Sequence, residues 1–235
     1  MRGTHTVRAV IFDWYETLAA VPDRLLAAAF DAMANDLGLH LPPGEMWSRW
    51  RTLRAQGVTG SETAFRTFRA IWKDRAEQLL TTFGVAEKAE LVVTVYMELH
   101  AQAALYDDAR RTVSALREGG ILVAVVSDAD DAFLRQSVAR SGLVFEAVVS
   151  SEEVGAYKPS TIGFRQACAA LGVEADDSVF VGDRPSTDLM GARAAGMRAI
   201  WLNRFGSEWP ADLAAPDAEI SRLTDLLTTL QQLGK

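Results

Sequence analysis

Cysteine is nearly absent from this chain: Cys168 is the only one in 235 residues. No internal disulfide can form, and a reducing compartment is expected. Histidine is almost as scarce, and His5, His40 and His100 are scattered with no metal-ligand spacing. Positive charge is also short. The formal net charge is −7, which argues against a nucleic-acid partner, since such binders present a basic face. Long apolar runs are missing too. No stretch reaches the roughly 18 uninterrupted apolar residues that a membrane span needs. The start, MRGTHTVRAVIFDW, has no apolar run ending in a small-residue cleavage site. The expectation is a soluble cytoplasmic protein with no membrane partner. Repeats and low-complexity tracts are absent as well.

What is present is a core-forming pattern. The length suits one large domain, or a core domain with a smaller insert, and 49% of the residues are hydrophobic, enough for a sizeable interior. Residues 7–13, VRAVIFD, form an apolar β-branched run of strand length that ends on an acid. The construction recurs at 121–128, ILVAVVSD, and at 178–183, SVFVGD, with shorter strands expected at 147–150 and 198–202. Helical segments at 108–118, 131–141, 160–171 and 186–195 separate them. Near-continuous apolar strands alternating with helices predict an α/β fold with a Rossmann-like parallel sheet covered on both faces. Ligands of such sheets bind at the carboxyl ends of the strands, where Asp13, Ser127 and Asp183 fall.

The interval 20–105 reads differently. Leu25, Leu26, Ala29 and Phe30, then Phe65, Phe68, Ile71 and Trp72, then Leu91, Val92, Val95 and Leu99 recur at helical spacing. A plain crossover needs one helix, so this stretch predicts an inserted all-helical cap over a core made of 1–19 and 106–235. Within it, residues 45–75 carry seven cations against three acids. Arginine clusters suit carboxylate or phosphate ligands, although solvated helix faces account for most such residues. Trp47, Trp50 and Trp72 read as cap interior.

Four short motifs carry the chemistry. FDWYETL (12–18) ends the first strand, VVSD places Ser127 at the end of another, YKPS brings Lys158, and GDRPSTD brings Asp183 and Asp188. In this order and spacing they resemble the motifs of the haloacid dehalogenase-like hydrolase superfamily, and GARAAGMRAIWLN is similar to that family's usual continuation. The residues support one site on physical grounds as well. A carboxylate, Asp13, can attack a phosphoryl group and form a covalent intermediate, provided that cations offset the repulsion between two anions. Asp13 and Asp183 at neighbouring strand ends can hold Mg²⁺ with waters and a substrate oxygen. The resemblance implies the Tyr15 carbonyl as a third protein ligand. Lys158 supplies a point charge, and Ser127 can donate a hydrogen bond to a phosphoryl oxygen, with Asp128 beside it as a substrate-binding candidate. Asp188 would orient Lys158 or a water on the metal, or else serve as an acid at a helix N-terminus. Thr17 is expected to fix the motif loop by hydrogen bonding.

Tyr15 departs from the pattern. The resemblance implies an Asp there in phosphatases, protonating the leaving group and then activating water, a double role that a tyrosine fills poorly. The family's 2-haloacid dehalogenases carry tyrosine in a motif similar to FDxYGTL. Glu16 stands where that motif has Gly, and reads as a solvated loop residue or a displaced acid–base group. Three readings follow: a Mg²⁺-dependent phosphatase or phosphotransferase acting on a small anionic metabolite; a 2-haloacid dehalogenase, with Arg51 holding a substrate carboxylate; or a weakly active or inactive member serving as a binding module. GDRPSTD favours the first, because the dehalogenases resemble one another in a Ser-Asn fourth motif without metal ligands. Phe164, where they have a second tyrosine, counts against the second reading. A monomer or homodimer is expected, and Cys168 reads as a buried small residue.

Overall fold

The computed structural model describes residues 7–56 and 64–233, so His5 and Glu62 lie outside the described residues. The strands are β1 (Ala9–Phe12), β2 (Ala19–Ala20), β3 (Ala104–Leu105), β4 (Leu122–Ser127), β5 (Ala147–Ser150), β6 (Ser178–Gly182), β7 (Arg198–Leu202) and β8 (Ala218–Ile220). The helices are α1 (Asp23–Asp36), α2 (Glu45–Arg54), α3 (Phe68–Thr81), α4 (Ala89–Ala101), α5 (Ala109–Glu118), α6 (Asp131–Ser141), α7 (Ser151–Val154), α8 (Ile162–Leu171), α9 (Met190–Ala194) and α10 (Leu226–Leu233).

Six strands form one sheet in the order β5-β4-β1-β6-β7-β8, and each neighbouring pair is parallel. β1 is central and fully buried, which is why AVIF is apolar throughout rather than alternating. Side chains alternate across the pleat. Ala9, Ile11, Ala124, Val126 and Phe180 therefore share one face and pack with Phe164, Ala167 and Cys168 of α8 and Ala192 of α9. Val10, Val123, Val125, Val179 and Val181, equally buried, fall outside that cluster, as do Val113 and Leu116 of α5.

Two close approaches require glycine. A Cβ at Gly182 would overlap the Asp188 carboxylate, and one at Gly191 would meet the Phe164 ring at 2.6 Å and the Pro159 Cα at 3.0 Å. These glycines let the segment after β6 fold tightly back on the sheet. The helix expected over 186–195 begins instead with a π turn, Pro185–Leu189, before α9. Asp188 lies in this wider turn and is fully buried.

The chain divides into two compact units, Met1–Ala20 with Ala104–Lys235, and Val21–Ala103. The first holds the sheet, together with the small antiparallel ribbon β2–β3. The second is made of α1–α4 around an aromatic interior. The Trp50 ring lies 5.9 Å from Phe30, 5.4 Å from Tyr96 and 6.0 Å from Trp72. Leu25 and Leu91, which the spacing places on the apolar faces, are exposed, whereas Leu26, Phe30 and Val92 are buried. An amphipathic stripe is narrower than the run of apolar letters that reports it. No helix among the described residues is long and apolar enough to cross a membrane.

Candidate active site

β1, β4 and β6 run side by side, so the residues that end them converge at one edge of the sheet. Asp13 follows β1, Ser127 ends β4 and Asp183 follows β6. The Ser127 hydroxyl donates to Asp13 Oδ1 at 3.0 Å. Lys158 reaches the same oxygen from the loop after α7, with Nζ at 2.6 Å. Both contacts fall on Oδ1, which leaves Asp13 Oδ2 without a side-chain partner among the described residues. Lys158 Nζ also lies 2.6 Å from Asp188 Oδ1, an ionic contact without hydrogen-bond alignment, since that oxygen is buried and has no hydrogen-bond partner. Asp188 Oδ2 accepts the Arg184 backbone N–H at 3.1 Å. Asp188 thus both orients Lys158 and ties down the turn that carries it.

These charges are deeply placed: Asp13 is 5%, Lys158 9% and Asp188 0% exposed. Burial pushes the Asp13 carboxyl above its ordinary range, against the pull of Lys158. Asp183 is pushed up to about 8 by burial and then by the charges of Asp188 and Asp13. For Lys158, burial alone would lower the pKa, but Asp13, Asp188 and Asp128 outweigh it and hold the ammonium well above its usual value. One ammonium therefore serves several carboxylates, too little positive charge for Asp13, Asp183 and Asp188 all to ionise together. Each of the three offers a carboxylate oxygen, all within 4.8 Å of one another. That spacing is one a divalent cation can bridge, and the raised Asp183 pKa is what it would relieve.

Asp128, expected at the substrate, braces a loop of the site. Its Oδ1 accepts the Lys158 backbone N–H at 3.0 Å, and burial raises its pKa to about 6. It acts on the site by holding the loop that carries Lys158. Thr17 is fully buried, and its hydroxyl donates to Asp183 Oδ1 over a long 3.4 Å. The motif loop is closed chiefly by its backbone, with Leu18 N–H and Ala19 N–H donating to the Trp14 carbonyl at 2.9 and 3.0 Å and Glu16 N–H donating to the Ala19 carbonyl at 2.8 Å. Tyr15 lies in this loop, bridged to Ala19.

Glu16 is not a freely solvated loop residue. Its backbone is left-handed, with φ 65°, at a cost of roughly 1 kcal/mol for a side-chain-bearing residue. Its carboxylate accepts a hydrogen bond from Tyr106 Oη at 2.9 Å. Burial, then the Glu16 charge, pushes the Tyr106 hydroxyl far above its ordinary range, so it remains a donor. The Arg204 guanidinium lies 4.0 Å above the Tyr106 ring, pairs with both Asp108 oxygens at 2.9 and 3.0 Å, and donates to the Thr17 carbonyl at 2.9 Å. Tyr106 and Arg204 were missed from sequence. They lie 90 residues from Glu16 and 187 from Thr17, and neither sits in a motif.

Arg51 belongs to the helical unit, where its guanidinium stands 3.5 Å from Asp23. The neighbouring arginines are similarly matched within that unit: Arg49 with Glu45, Arg66 with Asp74, Arg69 with Glu90, and Arg54 with the Tyr96 hydroxyl. Trp47, Trp50 and Trp72 are buried, and so is Cys168, its thiol pKa raised by that burial.

Comparison with known proteins adds the following. A family profile described as haloacid dehalogenase-like hydrolase matches residues 7–196. The phosphoserine phosphatase of Thermus thermophilus is 28% identical over 201 residues, covering 85% of this chain and 78% of that protein. The (S)-2-haloacid dehalogenase 1 of a Pseudomonas species is 28% identical over 238 residues, covering 97% and 98%. Among solved structures, a 2-haloacid dehalogenase from Pseudomonas syringae pv. Tomato superposes with a TM-score of 0.69 at 27% identity, covering 97% of this chain and 99% of that one.

Proposed function

The chain belongs to the haloacid dehalogenase-like hydrolases, and from that premise we propose that it is a Mg²⁺-dependent phosphatase or phosphotransferase acting on a small anionic metabolite. The observation that carries this reading is the cluster of Asp13, Asp183 and Asp188, whose carboxylate oxygens lie within 4.8 Å of one another. Asp13 and Asp183 would hold the ion, with Asp188 adjoining and the Tyr15 carbonyl added by family resemblance. When bound, Mg²⁺ offsets the charge of nucleophile and phosphoryl group.

The chain's own groups account for the remaining steps. Lys158 and Ser127 fix Asp13 Oδ1, so the carboxylate is oriented before substrate arrives. An Asp13 oxygen attacks phosphorus, the bond from phosphorus to the ester oxygen breaks, and the leaving alkoxide takes a proton. Water then attacks the aspartyl phosphate, the bond between phosphorus and Asp13 breaks, and the carboxylate and phosphate are released. With tyrosine at position 15, Glu16 is the carboxylate that the motif loop, apart from Asp13, has for the proton transfers, and it is held by Tyr106.

A second reading, a 2-haloacid dehalogenase, is favoured by Tyr15 and has relatives of similar identity. The acidic cluster weighs against it, because a haloacid carboxylate would face Asp183 with no cation required to intervene. Phe164 also weighs against it: it is fully buried and packs edge-on against Phe180 at 4.9 Å. Calorimetric titration with Mg²⁺ tests the proposal. Wild type is expected to bind the ion and Asp183→Ala to lose most of that affinity; equal affinity in both would contradict the assignment.

A further inference from the structure

We propose that Arg184 is the residue that selects the substrate, by binding a carboxylate carried on the same small molecule as the phosphoryl group. The inference rests on the phosphoryl-transfer reading above and names the substrate class more closely.

Arg184 follows Asp183 directly and precedes the π turn. Its backbone is held at both ends: the N–H donates to Asp188 Oδ2 at 3.1 Å, and the carbonyl accepts the Asp188 N–H at 2.9 Å. The root of the side chain is therefore fixed beside the nucleophile and the acidic cluster. The side chain is different. It is exposed to solvent. Among the described residues no hydrogen bond or ion pair engages its guanidinium. A guanidinium stays charged throughout the working pH range.

The other cations near these strand ends are committed. Lys158 is shared by Asp13 and Asp188, and Arg204 is spent on Asp108 and the Thr17 carbonyl. Arg184 alone among these three presents an unused fork of N–H donors, the geometry that matches a carboxylate with two parallel hydrogen bonds. Charge selects carboxylate over a second phosphate. The surroundings are already rich in acids, and one spare guanidinium balances a single negative charge but not two.

The test uses two phosphonates that cannot be hydrolysed, titrated into the Mg²⁺-supplemented protein by calorimetry. Phosphonoacetate carries the carboxylate and methylphosphonate does not. Wild type is expected to prefer phosphonoacetate by about 10- to 100-fold, the usual range for a charge-assisted pair. The preference should fall to about one in Arg184→Gln and be only partly kept in Arg184→Lys, which retains the charge but not the fork. The Lys variant also serves if the Gln variant fails to fold. A preference of the same size in wild type and both variants would overturn the inference, as would the absence of any preference in wild type. Equal weakening of both ligands in Arg184→Gln would overturn it too, because Arg184 would then only balance the acidic cluster. If neither phosphonate binds wild type, the phosphoryl reading itself fails, and the inference with it.

Discussion

The two units of this molecule handle charge in opposite ways. In the sheet unit Asp13, Lys158 and Asp188 are withdrawn from water and pressed together within 2.6 Å contacts. Burying ions costs several kcal/mol each, and their attraction seldom does more than restore the loss. In the helical unit the interior is aromatic, and the ionic groups stay at the surface, as in Arg49 with Glu45 and Arg66 with Asp74. By composition the basic stretch 45–75 is the larger anomaly in an acidic chain. Four of its six arginines, Arg49, Arg51, Arg66 and Arg69, nevertheless find acids within their own unit, and such exposed pairs are worth little. Placement of charge, rather than its amount, distinguishes a reactive centre from a solvated face.

This contrast can be broken at its strongest point first. Asp13→Asn keeps the shape of the proposed nucleophile and removes its charge, so turnover of any accepted substrate should fall to background. Substantial residual turnover would mean that water attacks directly. Next in size is Lys158→Met, which leaves Asp13 and Asp188 buried without a counter-ion. In metal-free protein it is expected to cost about 3–5 kcal/mol in urea unfolding, whereas Arg49→Ala, which opens a surface pair one helical turn long, should cost less than about 0.5 kcal/mol. Similar costs for the two would erase the distinction drawn between the units.

A smaller, pH-dependent effect belongs to the helical unit. His100 is held down to about 4 by burial, against the Tyr96 carbonyl 2.8 Å from its Nδ1. Its folded pKa lies below the unfolded value of 6.5, so the unfolded chain binds the proton first as pH falls. The stability it contributes is present above pH 6.5 and is lost progressively toward pH 4, by on the order of 2 kcal/mol. His100→Gln should flatten the loss between pH 7 and pH 4.5 relative to wild type. Parallel curves for the two proteins would show that His100 does not titrate with unfolding.

Much of the sheet unit was legible because its strands are buried on both faces and end in reactive residues. Ala147–Ser150 and Arg198–Leu202 fall at the expected bounds, and Asp13, Ser127 and Asp183 converge because β1, β4 and β6 are neighbours, with Lys158 brought to them by the loop after α7. β8 was not foreseen. It is the three residues AEI at a sheet edge, paired only with β7, and it carries no apolar run. The π turn escaped as well, because periodicity cannot tell one widened turn from a regular one; Gly182, which must lack a Cβ beside Asp188, is its one local trace. The left-handed backbone at Glu16 was half visible, since the resembling motif has Gly there. Arg204 and Tyr106 had no signal, because long-range packing alone brings them to the loop. Arg184 sits inside a quoted motif, but a lone arginine does not announce whether it is spent or spare.

The central claim is that the three clustered carboxylates serve a metal-dependent phosphoryl transfer. Phosphate release from a panel of small carboxylated phosphate monoesters, assayed beside halide release from 2-chloropropionate, each with Mg²⁺ and with EDTA, tests it most directly. The account predicts phosphate release that requires Mg²⁺ and is abolished by EDTA, with no halide release in either condition. Halide release that is indifferent to EDTA, without phosphate release, would contradict it and assign the site to the dehalogenases that Tyr15 resembles.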